Sequence, residues 1–400
     1  MALFAVRETT VIVPLINRSA ATMLIVAAHL VSSTAHAEPG VFSDRIVFGQ
    51  SAPFDGPASA LGIDVRRGIL AAFAEANAAG GLNGRRLQLV YRDDGYEPNR
   101  AIENTNRFIK DDRVFALIGE VGTPTSRAVQ PIASAAGVPF IGPFSGADFL
   151  RDPSLSNVIN VRASYAQETE TWIEHLTTDL GITRIALLYQ DDSFGLAGRA
   201  GVVAALARRS LKLVAEGTYM RNTTAVKTAL LTIRKATPQA VGMVGTYKAC
   251  AEFIQLARQI GVDAVFVNIS FVGSNALAKE LGTNGEGVVV SQVVPFPDDA
   301  SIPLVARYQR ALKAAEPEAE FGFVSLEGYI VGRLVIEALG RLGPDVTRAG
   351  LISTIKQTGA FDLDGVTLSY GPDNNRGTDR VFLTEIERNG NIRPIAKLGN

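Results

Sequence analysis

The sequence predicts an α/β protein of two lobes, each built on a mostly parallel sheet with helices on both faces. From Arg45 onward, short β-branched runs alternate with longer helical patterns, and this alternation is typical of helix-covered parallel sheets. One such unit ends near Ile141, and a second begins after Asn160. The 400 residues less a 37-residue leader leave 363, more than a single hydrophobic core usually supports, so two lobes are expected.

The elements of the first unit follow from apolar periodicity and from the residues that interrupt it. Its first helix, for example, ends at Gly80-Gly81, since glycine commonly terminates a helix. The predicted strands are 45–50, 86–93, 115–118 and 139–141, and the predicted helices are 62–79, 99–110 and 124–136.

The second unit repeats this order of helices and strands. Its predicted helices are 165–180, 195–209, 224–236 and 247–260, and its predicted strands are 184–190, 211–219, 240–244, 264–267 and 288–292. Pro295-Phe296-Pro297 then interrupts regular structure and is a candidate crossover between the lobes. The remaining predictions are helices at 303–315, 323–342 and 348–358 and hairpin-like strands at 367–370 and 381–388, the second turning at Asn389-Gly390.

We expect export from a bacterial cytoplasm to the periplasm, because the first 37 residues have the pattern of a secretory signal. Arg7 and Arg18 precede an apolar run at 20–31, and a small-residue cleavage site follows at Ala35-His36-Ala37. The apolar run is shorter than the roughly 20 residues of a membrane-spanning helix. Cleavage after Ala37 leaves Glu38 as the new N-terminus, and the long stretch before the run leaves Met23 open as an alternative start.

Charge and cysteine content exclude several kinds of partner. Removal of the leader takes away two of 39 basic and one of 40 acidic residues, which leaves 37 against 39 and a net charge of −2. Such a balance argues against nucleic acid as a partner. Cys250 is the only cysteine, so an internal disulfide, a four-cysteine metal site and a lipid-modified N-terminus are all excluded. We expect neither a metal nor a cofactor.

The sequence offers few candidates for catalysis. His175 is the only histidine left after cleavage, and the chain has neither a G-x-S-x-G elbow nor a G-x-x-x-x-G-K-[ST] phosphate loop. The glycine-rich run 195–201 lies inside a predicted helix and lacks the spacing of dinucleotide-binding sites. We therefore expect no catalytic residues. The pairs Asp93-Asp94 and Asp191-Asp192 keep a secreted two-carboxylate hydrolase open as a weaker alternative.

The loop at residues 122–126 is a candidate anion-binding site. In open α/β sheets, ligands bind outside the carboxyl ends of the strands, where helix N-termini present free amide groups. Thr123 suits the N-cap position and Pro124 the first helical position, so the backbone from Gly122 and the Thr123 hydroxyl could bind a carboxylate together. The alternative is that Thr123 only caps its own helix.

Further loops at predicted strand ends could complete such a site. The segment Phe144-Ser145-Gly146 follows the next strand and would lie beside the Thr123 loop if the two strands are neighbours. In the second unit, the corresponding positions hold Ser270 and three aromatic side chains that could form apolar walls or belong to the core, namely Phe194, Tyr247 and Phe271.

Several short motifs, taken in order, resemble the leucine/isoleucine/valine-binding protein family, the periplasmic components of branched-chain amino-acid-type ABC importers. The resemblance covers residues 44–398. Its main motifs are Gly56-Pro57, the stretch Ala79-Gly80-Gly81-Leu82-Asn83-Gly84-Arg85, Asp93-Asp94 followed by Pro98, Ile118-Gly119, Gly137-Val138-Pro139 and Glu327-Gly328-Tyr329.

The resemblance implies a type I periplasmic binding fold in which the chain crosses between the lobes near residues 162, 294 and 365. The first lobe would then comprise 44–162 and 295–364, and the second 163–294 and 365–400. Such a protein encloses its ligand as the lobes close about a hinge. The resemblance also implies a monomer that delivers its ligand to the membrane subunits of an ABC permease. A free-standing sensor of the same fold remains an alternative.

The resemblance also implies roles for individual residues. Thr123 would hold the ligand carboxylate. Phe144 would supply a backbone carbonyl, and the position of a neighbouring hydroxyl group would fall on Ser145 or Gly146. The aromatic and apolar wall would be formed by Leu61, Tyr247, Tyr329 and Phe194.

Two positions depart from the pattern of the amino-acid binders. Ser270 stands where those proteins carry an acid for the ligand ammonium, and Gly146 stands in place of a threonine. Because a buried ammonium without a partner costs several kcal/mol, we expect a small carboxylate such as an aromatic or aliphatic organic acid. A branched-chain amino acid stays open as the alternative, since Glu252 or Glu327 could supply the missing charge.

Overall fold

The computed structural model describes residue 10 and residues 38–399. Apart from Thr10, the predicted secretory signal lies outside the described residues. Among the described residues, no helix combines the length and the apolar character needed to cross a membrane.

The first sheet has five parallel strands in the order β2-β1-β3-β4-β5. Its strands are β1 (Arg45–Ala52), β2 (Arg86–Asp93), β3 (Ala116–Ile118), β4 (Phe140–Ile141) and β5 (Val158–Ile159). The helices that connect them are α1 (Ser59–Ala78), α2 (Pro98–Lys110) and α3 (Thr123–Ala135). The carboxyl ends of these strands carry the loops that form one wall of the cleft.

The second sheet has seven strands in the order β15-β14-β10-β9-β8-β6-β7. Five are parallel, namely β6 (Ile185–Gln190), β7 (Ala215–Tyr219), β8 (Ala240–Val244), β9 (Val265–Asn268) and β10 (Val289–Gln292). The antiparallel edge is formed by β14 (Phe382–Ile386) and β15 (Ile392–Ile395). Its helices are α4 (Tyr165–Thr178), α5 (Ser193–Ala207), α6 (Lys227–Lys235), α7 (Tyr247–Gln259) and α8 (Ser274–Leu281). The predicted α/β class with two mostly parallel sheets is confirmed.

Between β10 and β14 the chain returns to the first lobe. The returning helices are α9 (Pro303–Ala315), α10 (Phe323–Leu342) and α11 (Arg348–Thr358), followed by a small antiparallel sheet of β11 (Ala360–Asp362), β12 (Thr367–Gly371) and β13 (Asn374–Gly377). This small sheet packs on the first lobe, where the Tyr370 hydroxyl donates to the Asn160 carbonyl (2.9 Å) and the Asn160 amide donates to the Asn375 carbonyl (2.8 Å).

The third crossing therefore lies later than the position near 365 that the resemblance implies. Residues 367–377 stay with the first lobe, and the chain enters the second sheet only at Phe382. Alternating strand patterns do not reveal which sheet a strand will join, because that choice depends on tertiary hydrogen bonds.

The glycine-rich run in α5 is a packing surface. A Cβ atom on Gly195 would lie 1.8 Å from the Gln190 carbonyl oxygen, and one on Gly201 would lie 2.4 Å from Thr169 Oγ1. The glycines thus allow α5 to approach β6 and α4 closely, and their spacing is explained by packing alone.

Helices α1 and α10 approach each other closely through two further glycines. A Cβ atom on Gly68 would lie 1.9 Å from the Ser325 carbonyl oxygen, and one on Gly328 would lie 2.2 Å from the Val65 carbonyl oxygen. These are contacts with backbone atoms, which cannot move aside as the end of a side chain can. The contact fixes the position of the first turns of α10 against the first lobe.

We predict that Gly68→Ala lowers the free energy of unfolding by about 1–3 kcal/mol, because the added methyl group overpacks this contact. Gly340→Ala is the matched control, since a Cβ atom on Gly340, in the last turns of α10, would have no neighbouring heavy atom within 4 Å. It should raise stability by about 0.5–1 kcal/mol through helix propensity. Urea unfolding measures both, and equal stability of the two variants would contradict the close contact.

Candidate functional site

A cluster of buried hydroxyl groups lies at the carboxyl ends of β3 and β4. Thr123 Oγ1 is 2.8 Å from Ser145 Oγ and 3.4 Å from the Tyr165 hydroxyl. The Gly122 amide donates to the Phe144 carbonyl at 3.2 Å, which joins the two loops. The structure therefore brings Gly122, Thr123, Phe144 and Ser145 together, although the Phe144 carbonyl is already engaged by Gly122.

The N-cap of α3 is one residue earlier than the sequence suggests. Gly122 takes the N-cap position with a φ of 108°, a value that favours glycine, and Thr123 is the first helical residue. Because Gly122 and not Thr123 is the N-cap residue, both the N-cap prediction and its capping-only alternative are wrong. The Thr123 hydroxyl faces Ser145 and Tyr165 instead.

Gly146 makes room for an aromatic ring. A Cβ atom on Gly146 would lie 2.4 Å from the ring of Tyr165, and the Tyr165 amide donates to the Gly146 carbonyl at 2.7 Å. The hydroxyl that a threonine would contribute at Gly146 is thus replaced nearby by the hydroxyl of Tyr165. Sequence reasoning did not find Tyr165, because it follows a crossover and no strand-end motif marks it.

Phe271 connects the aromatic side chains of both lobes. Its ring centroid is 4.6 Å from that of Phe194, 5.3 Å from that of Phe144 and 6.0 Å from that of Tyr96. Phe194 and Phe271 come from the second lobe, and Phe144 and Tyr96 from the first. The predicted walls Phe194 and Phe271 therefore do meet the predicted Phe144 loop, whereas Tyr96 was missed.

Leu61 and Tyr247 lie where the lobes touch. The Ala60 amide donates to the Tyr247 hydroxyl at 3.4 Å, across the two lobes. Leu61 packs against Gly273, which leaves room for it: a Cβ atom on Gly273 would lie 2.6 Å from Leu61 Cδ2. Both predicted residues are thus at the junction of the lobes.

Tyr329 does not join the other predicted site residues. Its hydroxyl donates to Glu75 Oε2 at 2.7 Å, and its ring packs 5.6 Å from that of Tyr308, between α1, α9 and α10. Residues two apart in the sequence of an α-helix are rotated by about 200° about its axis. Tyr329 and Glu327 therefore point to opposite sides of α10. Glu327 is the residue that faces the cleft.

Ser270 binds a buried carboxylate that the sequence did not reveal. The Ser270 amide and hydroxyl donate to the two oxygens of Glu168 at 2.8 and 2.9 Å, and the Ser291 hydroxyl donates to it at 2.5 Å. Burial raises the pKa of Glu168, and Arg162 together with these three hydrogen bonds opposes that rise. Glu168 is positioned by the first turn of α4, where Ser164 and Gln167 form a capping box.

Arg162 is the central charged group of the cleft. It is fully buried, donates to Ser270 Oγ, and lies with its Cζ 4.6 Å from the centre of the Phe144 ring. Its Nη2 is 3.7 Å from Glu168 Oε1 and its Nε is 3.6 Å from Glu327 Oε1. Burial opposes its charge, but the two carboxylates raise the pKa of Arg162 above its ordinary value. Within the described chain, Nε and Nη1 have no hydrogen-bond partner.

Glu327 is the least satisfied member of this group. It is 3% exposed, and its Oε1 has no hydrogen-bond partner among the described residues. Burial raises the pKa of Glu327 to about 7, and Arg162 only partly opposes the rise. The other possible source of charge, Glu252, lies on α7, and the described contacts do not connect it with Arg162.

Arg151 supports this site from behind. It donates to the carbonyls of Ala147 (3.0 Å), Arg162 (2.8 Å) and Ala163 (3.1 Å), and burial lowers its pKa to about 10. Its donors are thus directed at the backbone, and they tie the Ser145 loop to the first crossing segment. Neither arginine was found from the sequence, although Arg162 ends an otherwise mostly apolar run at 158–161 that could have drawn attention to it.

A polar contact closes the rim of the cleft. Arg221 Nη2 is 2.9 Å from Glu97 Oε2, and the side-chain amide of Asn222 donates to Glu97 Oε1 at 2.7 Å and to the Gly95 carbonyl at 2.9 Å. Glu97 precedes α2 in the first lobe, and Arg221 follows β7 in the second. Ion pairs of this partly exposed kind contribute only about 0–1 kcal/mol, so the contact can open and close readily.

The family model for periplasmic binding proteins matches residues 45–391. The chain belongs to this family. A possible leucine/isoleucine/valine-binding protein from Rhodopirellula baltica is 38% identical, with a TM-score of 0.86 over 91% of this chain and 100% of its own. A substrate-binding periplasmic protein from Ralstonia solanacearum is 28% identical, with a TM-score of 0.82 over 87% and 99%. Leu/Ile/Val-binding protein homolog 7 of Brucella abortus is 25% identical over 332 residues, 80% of this chain and 82% of its own.

The periplasmic binding protein is therefore a substrate-binding protein and not an enzyme. The two Asp-Asp pairs that favoured the hydrolase alternative contribute aspartates to hydrogen bonds that stabilise the fold. Asp93 accepts hydrogen bonds from the amides of Phe54 (2.7 Å) and Gly95 (3.1 Å), and Asp192 caps α5 through the Phe194 amide (2.9 Å).

We predict that Asp94 makes the binding protein less stable as the pH rises towards neutrality. Asp94 is buried and accepts hydrogen bonds from Ser51 Oγ and the Tyr96 amide, both at 2.8 Å, and burial raises its pKa to about 7. Because the folded pKa lies above the unfolded value, the protonated form favours folding, and that stabilisation is lost between about pH 4 and pH 7.

Urea unfolding at about pH 5 and about pH 8 tests this prediction. Asp94→Asn should lose less stability than the unsubstituted protein over this interval, by on the order of 2 kcal/mol. Glu103→Gln removes the same charge from an exposed position on α2 and should behave like the unsubstituted protein. If Asp94→Asn and the unsubstituted protein show the same pH dependence, the prediction is wrong, because ionisation of Asp94 then does not destabilise the folded protein.

Proposed function

We propose that this protein is the substrate-binding component of an ABC importer and captures a small organic carboxylate between its lobes. The observation that carries the proposal is the buried guanidinium of Arg162, whose Nε and Nη1 have no hydrogen-bond partner in the described chain. A buried donor without a partner is destabilising by about 1–3 kcal/mol, more when it is charged. A ligand carboxylate could accept a charge-assisted hydrogen bond from Nη1, while Nε, which does not share an edge of the guanidinium with Nη1, faces Glu327 Oε1 at 3.6 Å.

The groups around Arg162 suit the remainder of such a ligand. The hydroxyl cluster of Thr123, Ser145 and Tyr165 offers further hydrogen bonds to an oxygen atom. The rings of Phe144 and Phe271 offer apolar surface on either side of the junction. An aromatic or aliphatic acid presents both kinds of surface, a charged head and an apolar body.

Among the described residues, both acids near Arg162 already face its positive charge, so neither is placed to bind an α-ammonium group alone. Ser270 stands at the position where an acid was expected, and the neighbouring Glu168 already accepts three hydrogen bonds and faces Arg162. Glu327 is the one acid in this group with an unpartnered oxygen. If Glu327 is ionised when ligand binds, it would pair with an ammonium, and the ligand would be a branched-chain amino acid like those in the names of the relatives.

We predict that carboxylates without an α-amino group raise the melting temperature and that the matched amino acids do not. The decisive pairs are 4-methylpentanoate with leucine and 3-phenylpropanoate with phenylalanine, since each pair differs only in the α-amino group. A ligand at about 100 times its Kd should stabilise the fold by about 2.7 kcal/mol, which a thermal-shift assay detects readily.

Arg162 variants test the proposed anchor in the same assay. Arg162→Lys keeps the charge but not the planar guanidinium with its several fixed donors, and should weaken carboxylate binding by at least about tenfold, whereas Arg162→Met should abolish it. Arg199→Met, on the outer part of α5, is the control and should bind normally. Stabilisation by leucine but by neither acid would overturn the carboxylate proposal and favour the amino-acid alternative.

Delivery to a permease distinguishes the importer from the sensor alternative. We predict that the protein recovered from a bacterial periplasm begins at Glu38, is a monomer, and co-purifies with ABC permease subunits when its ligand is present. Intact-mass measurement, size-exclusion chromatography and affinity capture from solubilised membranes check these three points. Capture of a signalling receptor in place of a permease would favour the sensor.

A further inference from the structure

We propose that capture of the carboxylate is coupled to the uptake of one proton by Glu327, so that affinity falls as the pH rises through neutrality. This inference rests on the proposed function, because it requires that an anion binds at Arg162. The coupling would make binding at that site depend on pH, whichever carboxylate the protein binds.

Two carboxyl groups already lie close to the positive charge of Arg162. The guanidinium already has Glu168 Oε1 at 3.7 Å and Glu327 Oε1 at 3.6 Å. A ligand carboxylate at the same guanidinium would place three carboxyl groups around one positive charge in a site from which water is excluded. Like charges at such distances in a buried site do not all stay ionised, so one carboxyl group takes up a proton.

Hydrogen bonding decides which of the protein's carboxyl groups takes the proton. Glu168 accepts three hydrogen bonds, from Ser270 and Ser291, and each of them favours its ionised form. Glu327 Oε1 accepts none among the described residues, so its ionised form is stabilised only by the charges of Arg162 and, more weakly, Arg151. Once protonated, Glu327 becomes a hydrogen-bond donor and can bind the ligand carboxylate directly.

Few other charged groups influence Glu327. From the crossing segment and the loop behind it, Arg162 and Arg151 lower its pKa, and Glu168 on α4 raises it. Glu75 of α1, Arg307 of α9 and Arg333 of α10 lie around Tyr329, on the opposite side of α10. Burial outweighs the two arginines and raises the pKa of Glu327 to about 7 before any ligand is present.

The sign of the pH dependence follows from these groups. Below about pH 6, Glu327 already carries its proton, and the ligand binds without further uptake. Above about pH 7, Glu327 is ionised in the free protein and the ligand anion must bring a proton with it, so Kd should rise by up to about tenfold for each pH unit. The protein would thus capture its ligand best in a mildly acidic medium.

Titration calorimetry with 3-phenylpropanoate from about pH 6 to about pH 8.5, where this probe is ionised, tests the coupling. The unsubstituted protein should lose affinity above pH 7, and at about pH 8 its binding enthalpy should differ between phosphate and Tris buffers by the amount expected for uptake of one proton. Glu327→Gln, which stays neutral, should bind with a Kd that does not depend on pH. Glu280→Gln, an exposed position on α8, should retain the full pH dependence.

The outcomes separate the two proposals. Absence of binding at every pH by the unsubstituted protein would overturn the proposed function itself. Binding with a constant Kd and no dependence of the enthalpy on the buffer would overturn the proton coupling and leave the carboxylate site intact. The buffer comparison uses the unsubstituted protein alone, so it decides the question even if Glu327→Gln fails to fold.

Discussion

The arrangement of the cleft depends on one buried positive charge. Arg162 is fully buried where the chain first leaves the first lobe, and a guanidinium in that position requires anionic partners and a polarisable surface. Both lobes supply them: Phe144 and Glu327 come from the first, and Glu168 and Ser270 from the second. The groups that line the proposed ligand site are therefore held in place by one buried charge.

The surrounding fold makes this costly arrangement stable. The capping box at the start of α4 fixes Glu168, and Arg151 binds the backbone on either side of the crossing segment. Helix α10 carries Glu327 and is held against α1 by backbone contacts that only glycine permits. Rigid elements thus position the polar groups, which is what precise recognition of a small ligand requires.

Contacts between the lobes are of a different kind from those within them. They include the rim contact of Glu97 with Arg221 and Asn222, the long hydrogen bond of Tyr247, and the rings around Phe271. Partly exposed ion pairs contribute little, and a few aromatic contacts add about 0.5–1.5 kcal/mol each. Apart from the buried contacts of Arg162, the junction is thus held by weak contacts, which suits lobes that open and close.

The sequence by itself determined the α/β class, most helix and strand positions, the family resemblance and the hydroxyl and aromatic loops at the strand ends, because periodicity and turn residues are local properties. It did not reveal Arg162, Glu168 or Tyr165, and it assigned Tyr329 to a cleft that Glu327 faces instead. Which charged side chains meet depends on how two sheets and a returning helix pack, and a two-residue strand such as β5 carries no periodic signal. Only the tertiary structure could place a single arginine between two carboxylates from opposite lobes.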